Sequence, residues 1–439
     1  MNPNPETLGQ WLEYIERLHP KTIALGLERV SRVREALGLR PAFPLITVGG
    51  TNGKGSACAM LEAILHHAGY KVGCYTSPHL LRYNERVRIA RVEAGDRDLV
   101  RSFEAVERAR RSAEVQLTYF EFGTLAAMWL FVEQGLDAAV LEVGLGGRLD
   151  AVNAFDTDCA VVTRIAIDHV DFLGADREAI GYEKAGIFRS KRPAICADPE
   201  PPSRLVDHAR ELGAPLLLIG ADFFAQPQGP HWQYRGPDGK RSTLPHPALR
   251  GAFQLANAAA AITALGCLRE KLPVAMNDIR SGLLLAESTG RFQVLPGRPA
   301  VVLDVAHNPD AACALAANLS AMPCAGRTLA VFSVLNDKDL PGIIEAVKAH
   351  IHHWFVGGIR TPRGRSGGEL HAALTAAGVE RVTECRSVAE AYTQACDMAA
   401  ENDRILAFGS FYAVAAVLAG RAAPAAGVAT AGKRETPGP

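Results

Sequence analysis

The segment Gly49-Gly-Thr-Asn-Gly-Lys-Gly-Ser56 constrains this chain more than any other. It follows the apolar run Pro44-Leu-Ile-Thr-Val48, which stops at Gly49-Gly50 and reads as a buried parallel strand. A helix is predicted over Lys54 to Ala68, with Gly69 as its stop signal. Lys71 to Tyr75 reads as the next strand. Strand, glycine loop, helix and strand make a βαβ unit. A glycine loop at that junction turns backbone N–H groups inward around phosphate oxygens, and the helix N-terminus adds the positive end of its dipole. Within it Gly53 and Gly55 shape the cradle, Lys54 reaches the terminal phosphates and Ser56 ligates magnesium. The match to the general phosphate-loop pattern is incomplete. Val48 stands where its first glycine belongs, and Gly55 separates Lys54 from Ser56. A glycine-rich turn with no ligand is the bland alternative. A dinucleotide fingerprint competes at Gly144-Leu-Gly-Gly-Arg-Leu149 and fails, because Leu149 takes the third glycine position.

The alternation continues beyond this unit. Helices are predicted at 6–18, 23–37, about 119–134, 176–187 and 251–270, and strands at 137–143 and about 158–164, with weaker strand signals around Trp232 and Tyr234. Residues 287–299, rich in Gly, Pro, Ser and Thr, suggest a domain boundary. A second alternation follows: strand 300–305, helix 309–320, strand 328–334, helix 340–350, strand 352–356, two helices, strand 404–408 and helix 410–419. With 439 residues the chain exceeds one ordinary domain. The expected class is therefore α/β: a phosphate-loop-type, mostly parallel sheet flanked by helices over 1–288, and a smaller Rossmann-like α/β domain over 297–420. Residues 421–439 read as a disordered tail.

Composition narrows the partners. Basic and acidic residues balance at 47 each, so nothing draws the whole molecule to nucleic acid or membrane, and any anion site is local. The nine cysteines are scattered and form no C-x-x-C pair, which suits free thiols in a reducing compartment. Met1 to Leu12 is not a secretory signal, and no uncharged apolar run approaches the ~20 residues that span a bilayer. The cytoplasm and a monomer are the expectations.

Open α/β sheets bind ligands at the C-terminal ends of their strands. Three further segments fall there: Thr76-Ser-Pro-His-Leu80, Glu142 running into Gly144, and Asp168-His169, with Glu183-Lys184 on the next helix. Ser77, Glu142 and His169 offer a hydroxyl, a carboxylate and an imidazole to hard cations near a triphosphate. Singly, each has a plainer reading. Ser77 suits a turn, Glu142 a cap for the next turn, His169 a structural histidine, and Lys184 a surface position on an amphipathic helix.

Taken together, these stretches resemble the folylpolyglutamate synthases, relatives of the Mur ligases. The resemblance is carried by residues 50–56, 76–80, Leu141-Glu-Val-Gly-Leu-Gly-Gly-Arg-Leu-Asp150, 168–169, Glu183-Lys-Ala-Gly-Ile187 and Asp304-Val-Ala-His-Asn-Pro309, and runs from about residue 8 to 418. Only about forty residues precede the first strand, which argues against the nucleotide-sugar domain of a Mur ligase. Leu117-Thr-Tyr-Phe-Glu-Phe-Gly-Thr124 and Lys21-Thr-Ile-Ala-Leu-Gly-Leu-Glu-Arg29 resemble the bifunctional bacterial form. The resemblance implies an ATP-dependent ligase that joins L-glutamate to dihydropteroate and to reduced folates through an acyl phosphate. It implies a pterin site lined by Ile23, Ala24, Leu25, Gly26, Thr118, Tyr119, Phe120, Glu121, Leu149, Asp150 and Ala151. Phe120 offers a flat heterocycle an aromatic face, against a plainer reading as core packing on an amphipathic helix. It also implies two magnesium ions: Ser56, Ser77 and Glu142 on the first, and Glu142, His169 and a carbamate on Lys184 at the second. Asn257, Arg291 and Asp304 match the family's ATP contacts, and His307, in the same turn as Asp304, is expected to touch phosphate.

Two other functions stay open on the residues alone. One is a Mur-like amide ligase with a different acceptor. The other is a phosphate-loop switch or kinase-like protein, against which the long run of metal-ligand types and the missing switch segment weigh.

Overall fold

The computed structural model describes residues 5–21, 23–251 and 253–422. Its centre is the strand Leu45–Gly49, every residue of which is buried. It pairs in parallel with Ala138–Glu142 on one side and Cys159–Val162 on the other, with Val48 opposite both Glu142 and Val161. From edge to edge the sheet runs Val92–Glu93, Val87–Ile89, Val72–Tyr75, Ala138–Glu142, Leu45–Gly49, Cys159–Val162, Ala194–Cys196 and Leu216–Leu218. The two short strands at the first edge are antiparallel and the rest parallel.

Alternation along these strands divides the core. Ile46, Val48, Val140 and Val161 pack with helices Lys54–His67, Gln254–Cys267 and Met276–Leu285. Leu45, Ala139, Leu141 and Val162 face the opposite layer, which holds Asp96–Ser112 and Tyr119–Glu133. A strand buried on both faces explains why its sequence is a continuous apolar run. The helix Tyr119–Glu133 is buried from Glu121 to Met128 without a break, so it is not amphipathic.

A three-stranded antiparallel sheet, Phe224–Gln228, His231–Arg235 and Arg241–Pro245, surrounds the expected strand signals at Trp232 and Tyr234. The second large sheet is ordered Gln293–Leu295, Ala300–Asp304, Arg404–Phe408, Thr328–Phe332, His353–Gly357 and Val382–Cys385. Its first strand is antiparallel and falls inside 287–299, so part of that stretch is sheet rather than linker.

Other departures from expectation have local causes. Residues 23–27 are not helical. Gly26 has φ +141°, a conformation no helix accepts, and the helix begins at Glu28. The final helix, Phe411–Ala422, takes in Arg421 and Ala422, which the composition assigned to a tail. The remaining tail, 423–439, lies outside the described residues. Among the described residues no helix is long and apolar enough to cross a membrane.

Candidate active site

The glycine loop leaves the central strand where its neighbours also end. Gly50 (φ +142°) and Gly53 (φ +96°) hold backbone that side chains rarely adopt. A Cβ on Gly50 would lie 1.9 Å from the Thr163 hydroxyl, and one on Gly53 2.8 Å from Oδ1 of Asn257. Lys54 opens the helix, and its ammonium donates to the carbonyls of Gly50 at 3.0 Å and Thr51 at 3.2 Å. Burial lowers its pKa, with Glu142 opposing. Ser56 is buried, and its hydroxyl accepts from the Gln254 amide at 3.2 Å.

Glu142, at the end of the adjacent strand, is 2% exposed. It accepts the Ser77 backbone N–H at 3.0 Å, so it does hold the neighbouring turn. Burial still pushes it above the ordinary carboxylate range, against the pull of Lys54. This is a carboxylate in want of a cation. A Cβ on Gly55 would sit 3.8 Å from Glu142 and 3.6 Å from Arg291, which brings both side chains to the loop.

His169 caps the short helix Val170–Leu173 with φ +52°, and burial lowers its pKa to about 4. Lys184 is 3% exposed, not a surface residue. Burial and then the proximity of Lys54 lower it to about 7. Among the described residues no group of three or more His, Cys, Asp or Glu forms a metal cage. A divalent ion here would have to complete its shell with hydroxyls, water and ligand oxygens, as a hard cation does.

The two sheets meet over this loop. A cleft between them is lined by Gly53, Ser56, Asn257, Arg291, Asp304 and His307. Asp304 is fixed by the backbone N–H groups of Phe292 (2.9 Å) and Ala306 (2.7 Å), and His307 lies beside Phe411 with ring centres 6.3 Å apart. The four residues expected at the nucleotide, Asn257, Arg291, Asp304 and His307, therefore line one cleft.

The sequence reading missed the seam that closes it. Asn52, inside the glycine loop, exchanges two amide hydrogen bonds of 3.1 Å with Asn308 and donates to Asp310 at 2.8 Å. Arg164 pairs with Asp310 at 2.7 Å. Asp168 takes the buried ammonium of Lys338 at 2.6 Å, the Asn308 amide at 3.1 Å and the His307 ring at 3.5 Å. Nothing local in Asn336-Asp-Lys-Asp339 signals this, since a charged turn usually faces solvent.

Models of two families match this arrangement: the Mur ligase middle domain over residues 48–265 and the Mur ligase glutamate ligase domain over 290–411. The dihydrofolate synthase/folylpolyglutamate synthase of Escherichia coli (strain K12) is 47% identical over 413 residues, 94% of each chain. The chain belongs to the dihydrofolate synthase/folylpolyglutamate synthase family. The structure of E. coli FolC in complex with DHPP and ADP superposes with a TM-score of 0.89 at 46% identity, covering 94% of this chain and 97% of that one. A bifunctional folylpolyglutamate synthase/dihydrofolate synthase with Mn, AMPPNP and L-glutamate bound gives 0.87 at 43% identity, covering 94% and 98%.

The segments expected to hold the acceptor in this family also come together. The Gly26 N–H bonds the Leu149 carbonyl at 3.2 Å. Arg29 joins Glu121 at 2.8 Å and the Ala24 carbonyl at 2.6 Å. Ile23 and Leu25 are half-buried in the same strand of chain, and Ala151 is buried across from it. Thr118 and Glu121 form a reciprocal cap, so the Glu121 carboxylate is spent on the helix end and on Arg29. Phe120 is half-buried, 5.9 Å from the Tyr75 ring and directly over Gly144, where a Cβ would come within 2.6 Å of it. Tyr119 lies beside Tyr83. Asp150 is buried and accepts from Leu145 at 2.8 Å and Val152 at 3.1 Å, and burial raises its pKa to about 7.

Proposed function

We propose that this chain joins L-glutamate to dihydropteroate, giving dihydrofolate, and to the γ-carboxyl of reduced folates, with ATP converted to ADP and phosphate. One observation carries the reading. Phe120 packs directly over Gly144, two residues beyond Glu142, so the segments assigned to the acceptor and the glycine loop converge on one strand end. The relatives named above support it through their bound DHPP, ADP, AMPPNP and L-glutamate.

The chemistry asks for cations. A carboxylate oxygen is a poor leaving group, so a phosphoryl group is transferred to it from ATP, and the amine of glutamate then displaces phosphate. Two anions must approach each other for the first transfer. Lys54 and Arg291 supply fixed positive charge, and closure of the seam excludes the water that would hydrolyse the acyl phosphate. Magnesium, when bound, adds charge neutralisation at the phosphates. Ser56, Ser77 and Glu142 would hold one ion, and Glu142 with His169 a second. Lys184 would serve that second ion as a carbamate. The Glu142 carboxylate, buried and in no ion pair among the described residues, fits this role, and a lysine lowered to about 7 supplies the neutral amine that carbon dioxide requires.

Residues 1–288 would bind ATP and folate, and 297–420 would contribute Asp304 and His307 as the glutamate ligase domain. Nine free cysteines suit a reducing cytoplasm, and we assign the chain there as a monomer. The test is phosphate release from ATP with dihydropteroate and each amino acid in turn. Release that depends on glutamate supports the reading; release with another amino acid, or with none, overturns it.

A further inference from the structure

Beside Tyr83 and Tyr119 lies a buried cation that forms no ion pair among the described residues. Arg86 is 9% exposed. Its Nε donates to Nδ1 of His79 at 2.8 Å, and its guanidinium carbon lies 5.6 Å from the centre of the Tyr83 ring and 5.5 Å from that of Tyr119. None of these groups cancels the charge. A ring nitrogen that accepts from arginine carries no proton, so His79 offers no charge to oppose or balance Arg86. The neighbouring acid, Glu85, gives its carboxylate to the backbone N–H groups of Leu80, Leu81 and Arg82. Arg86 forms no ion pair among the described residues. A guanidinium held this deep is costly unless something anionic reaches it.

Two phenol oxygens in the same cluster are buried as well. That of Tyr83 has no hydrogen-bond partner among the described residues, and that of Tyr75 faces Arg86 and Thr124. Both converge on Gly123, where an added Cβ would lie 2.5 Å from the Tyr83 oxygen and 3.1 Å from that of Tyr75. The cluster thus holds more donors than acceptors. It also lies on the acceptor side of the site. Tyr75 ends the strand that leads to Ser77, its ring flanks Phe120, and Tyr119 is the next residue to Phe120.

We propose that Arg86, with the hydroxyls of Tyr75 and Tyr83, forms a carboxylate subsite for the non-reacting α-carboxylate of a glutamylated acceptor. This rests on the function proposed above. The two acceptors differ in the relevant group. Dihydropteroate carries one carboxylate, and the reaction consumes it. An acceptor that already bears glutamate carries a second, which stays anionic from binding to release and needs a permanent partner. Arg86 supplies one in a fork geometry that matches a carboxylate. It thereby sorts acceptors by whether a glutamyl tail is present.

The test measures kcat and KM by glutamate-dependent phosphate release for three acceptors: dihydropteroate, tetrahydrofolate monoglutamate, and that folate with its α-carboxyl capped as an amide. On the unaltered enzyme the α-amide should raise KM at least ~10-fold over the free acid, with kcat little changed. Arg86→Gln should raise KM for the free acid by a similar factor, leave the α-amide no worse, and shift dihydropteroate by less than about threefold. Arg86→Lys should recover part of the loss by keeping the charge. Equal KM increases for dihydropteroate and the folate in Arg86→Gln would overturn the subsite. So would an α-amide that the unaltered enzyme uses as well as the free acid, an outcome that needs no variant to fold. Absence of glutamate-dependent release with every acceptor would instead sink the function on which the proposal rests.

Discussion

Lys54 and Lys184 are buried in the same site, and burial has different consequences for each. Lys54 is held by two loop carbonyls, which keep its ammonium at the mouth of the glycine cradle. Lys54→Ala should leave the fold intact and lower ligation by ~10²–10³-fold, the usual loss for one electrostatic stabiliser. A variant with native circular dichroism and more than half the original rate would contradict the role. Lys184 is lowered to about 7, so about half of it is neutral at pH 7 and only about a tenth at pH 6. If the neutral amine is carbamylated, removing carbonate from the buffer should depress activity more at pH 6 than at pH 8. Lys184→Ala should lose most activity and Lys184→Arg should not restore it. Intact-mass and carbon-13 carbonate measurements under native conditions decide the point. A plain amine with full activity in carbonate-depleted buffer rules the carbamate out.

Asp168 makes a separate prediction for stability. Burial alone would raise its pKa, but His307 and Lys338 hold it well below the ordinary value of 3.8. A carboxylate depressed by folding stabilises the native state above its unfolded pKa, and that contribution is lost on acidification below it. The Lys338 side chain is 4% exposed and that of Asp168 8%. Lys338→Met strands the carboxylate and should cost ~3–5 kcal/mol in urea denaturation at pH 7, with the deficit shrinking below pH 4. An equal deficit at both pH values would show that packing, not charge, was lost.

Among the elements, the helix pair Lys54–His67 and Met276–Leu285 is the tightest contact behind the site. A Cβ on Gly282 would lie 2.5 Å from the Cα of Ile64, a backbone atom that no rotamer change can move. Gly282→Ala should therefore separate the helices, cost ~1–3 kcal/mol and disturb the glycine loop from behind, raising KM for ATP. Unchanged stability would mean that the pair has slack. This helix was not foreseen, whereas Lys54–His67 was read almost to the residue. The difference is physical. A glycine loop fixes the start of the first helix and Gly69 its end, while Met276–Leu285 carries no comparable punctuation. The charged helix Asp96–Ser112 escaped for the opposite reason, its apolar residues being few among acids and arginines. Strands buried on both faces announced themselves as apolar runs. The edge strands Val92–Glu93 and Gln293–Leu295, each paired on one side only, did not. In the site, glycine-bounded motifs were legible because each carries its chemistry in consecutive residues. Lys338 and Asp310 were not, because their partners lie far off in sequence.

At the scale of the whole molecule, the glycine loop and the helix Pro309–Ala321 are one mechanical unit. Asn308 caps that helix and at the same time bonds Asn52 of the loop and Asp168 beyond it. Arg164→Ala removes the clasp on Asp310 and one face of the Phe253 ring, 4.8 Å from the guanidinium. The variant should close less completely: a larger radius of gyration by solution scattering with AMPPNP, and more phosphate released per amide formed. A radius and a stoichiometry like those of the unaltered enzyme would assign Arg164 a purely local role.

The seam between the two sheets is made of amides, carboxylates, a histidine, an arginine and a lysine. Its parting exchanges these bonds for bonds to water, so the thermodynamic barrier to gaping is small compared with that of an oily joint. What then resists the movement is friction, the drag of solvent entering and leaving the cleft. If release of product waits on that stroke, kcat should fall in step with the viscosity of added sucrose, while a slow, chemically limited acceptor should turn over at the same rate in syrup as in buffer.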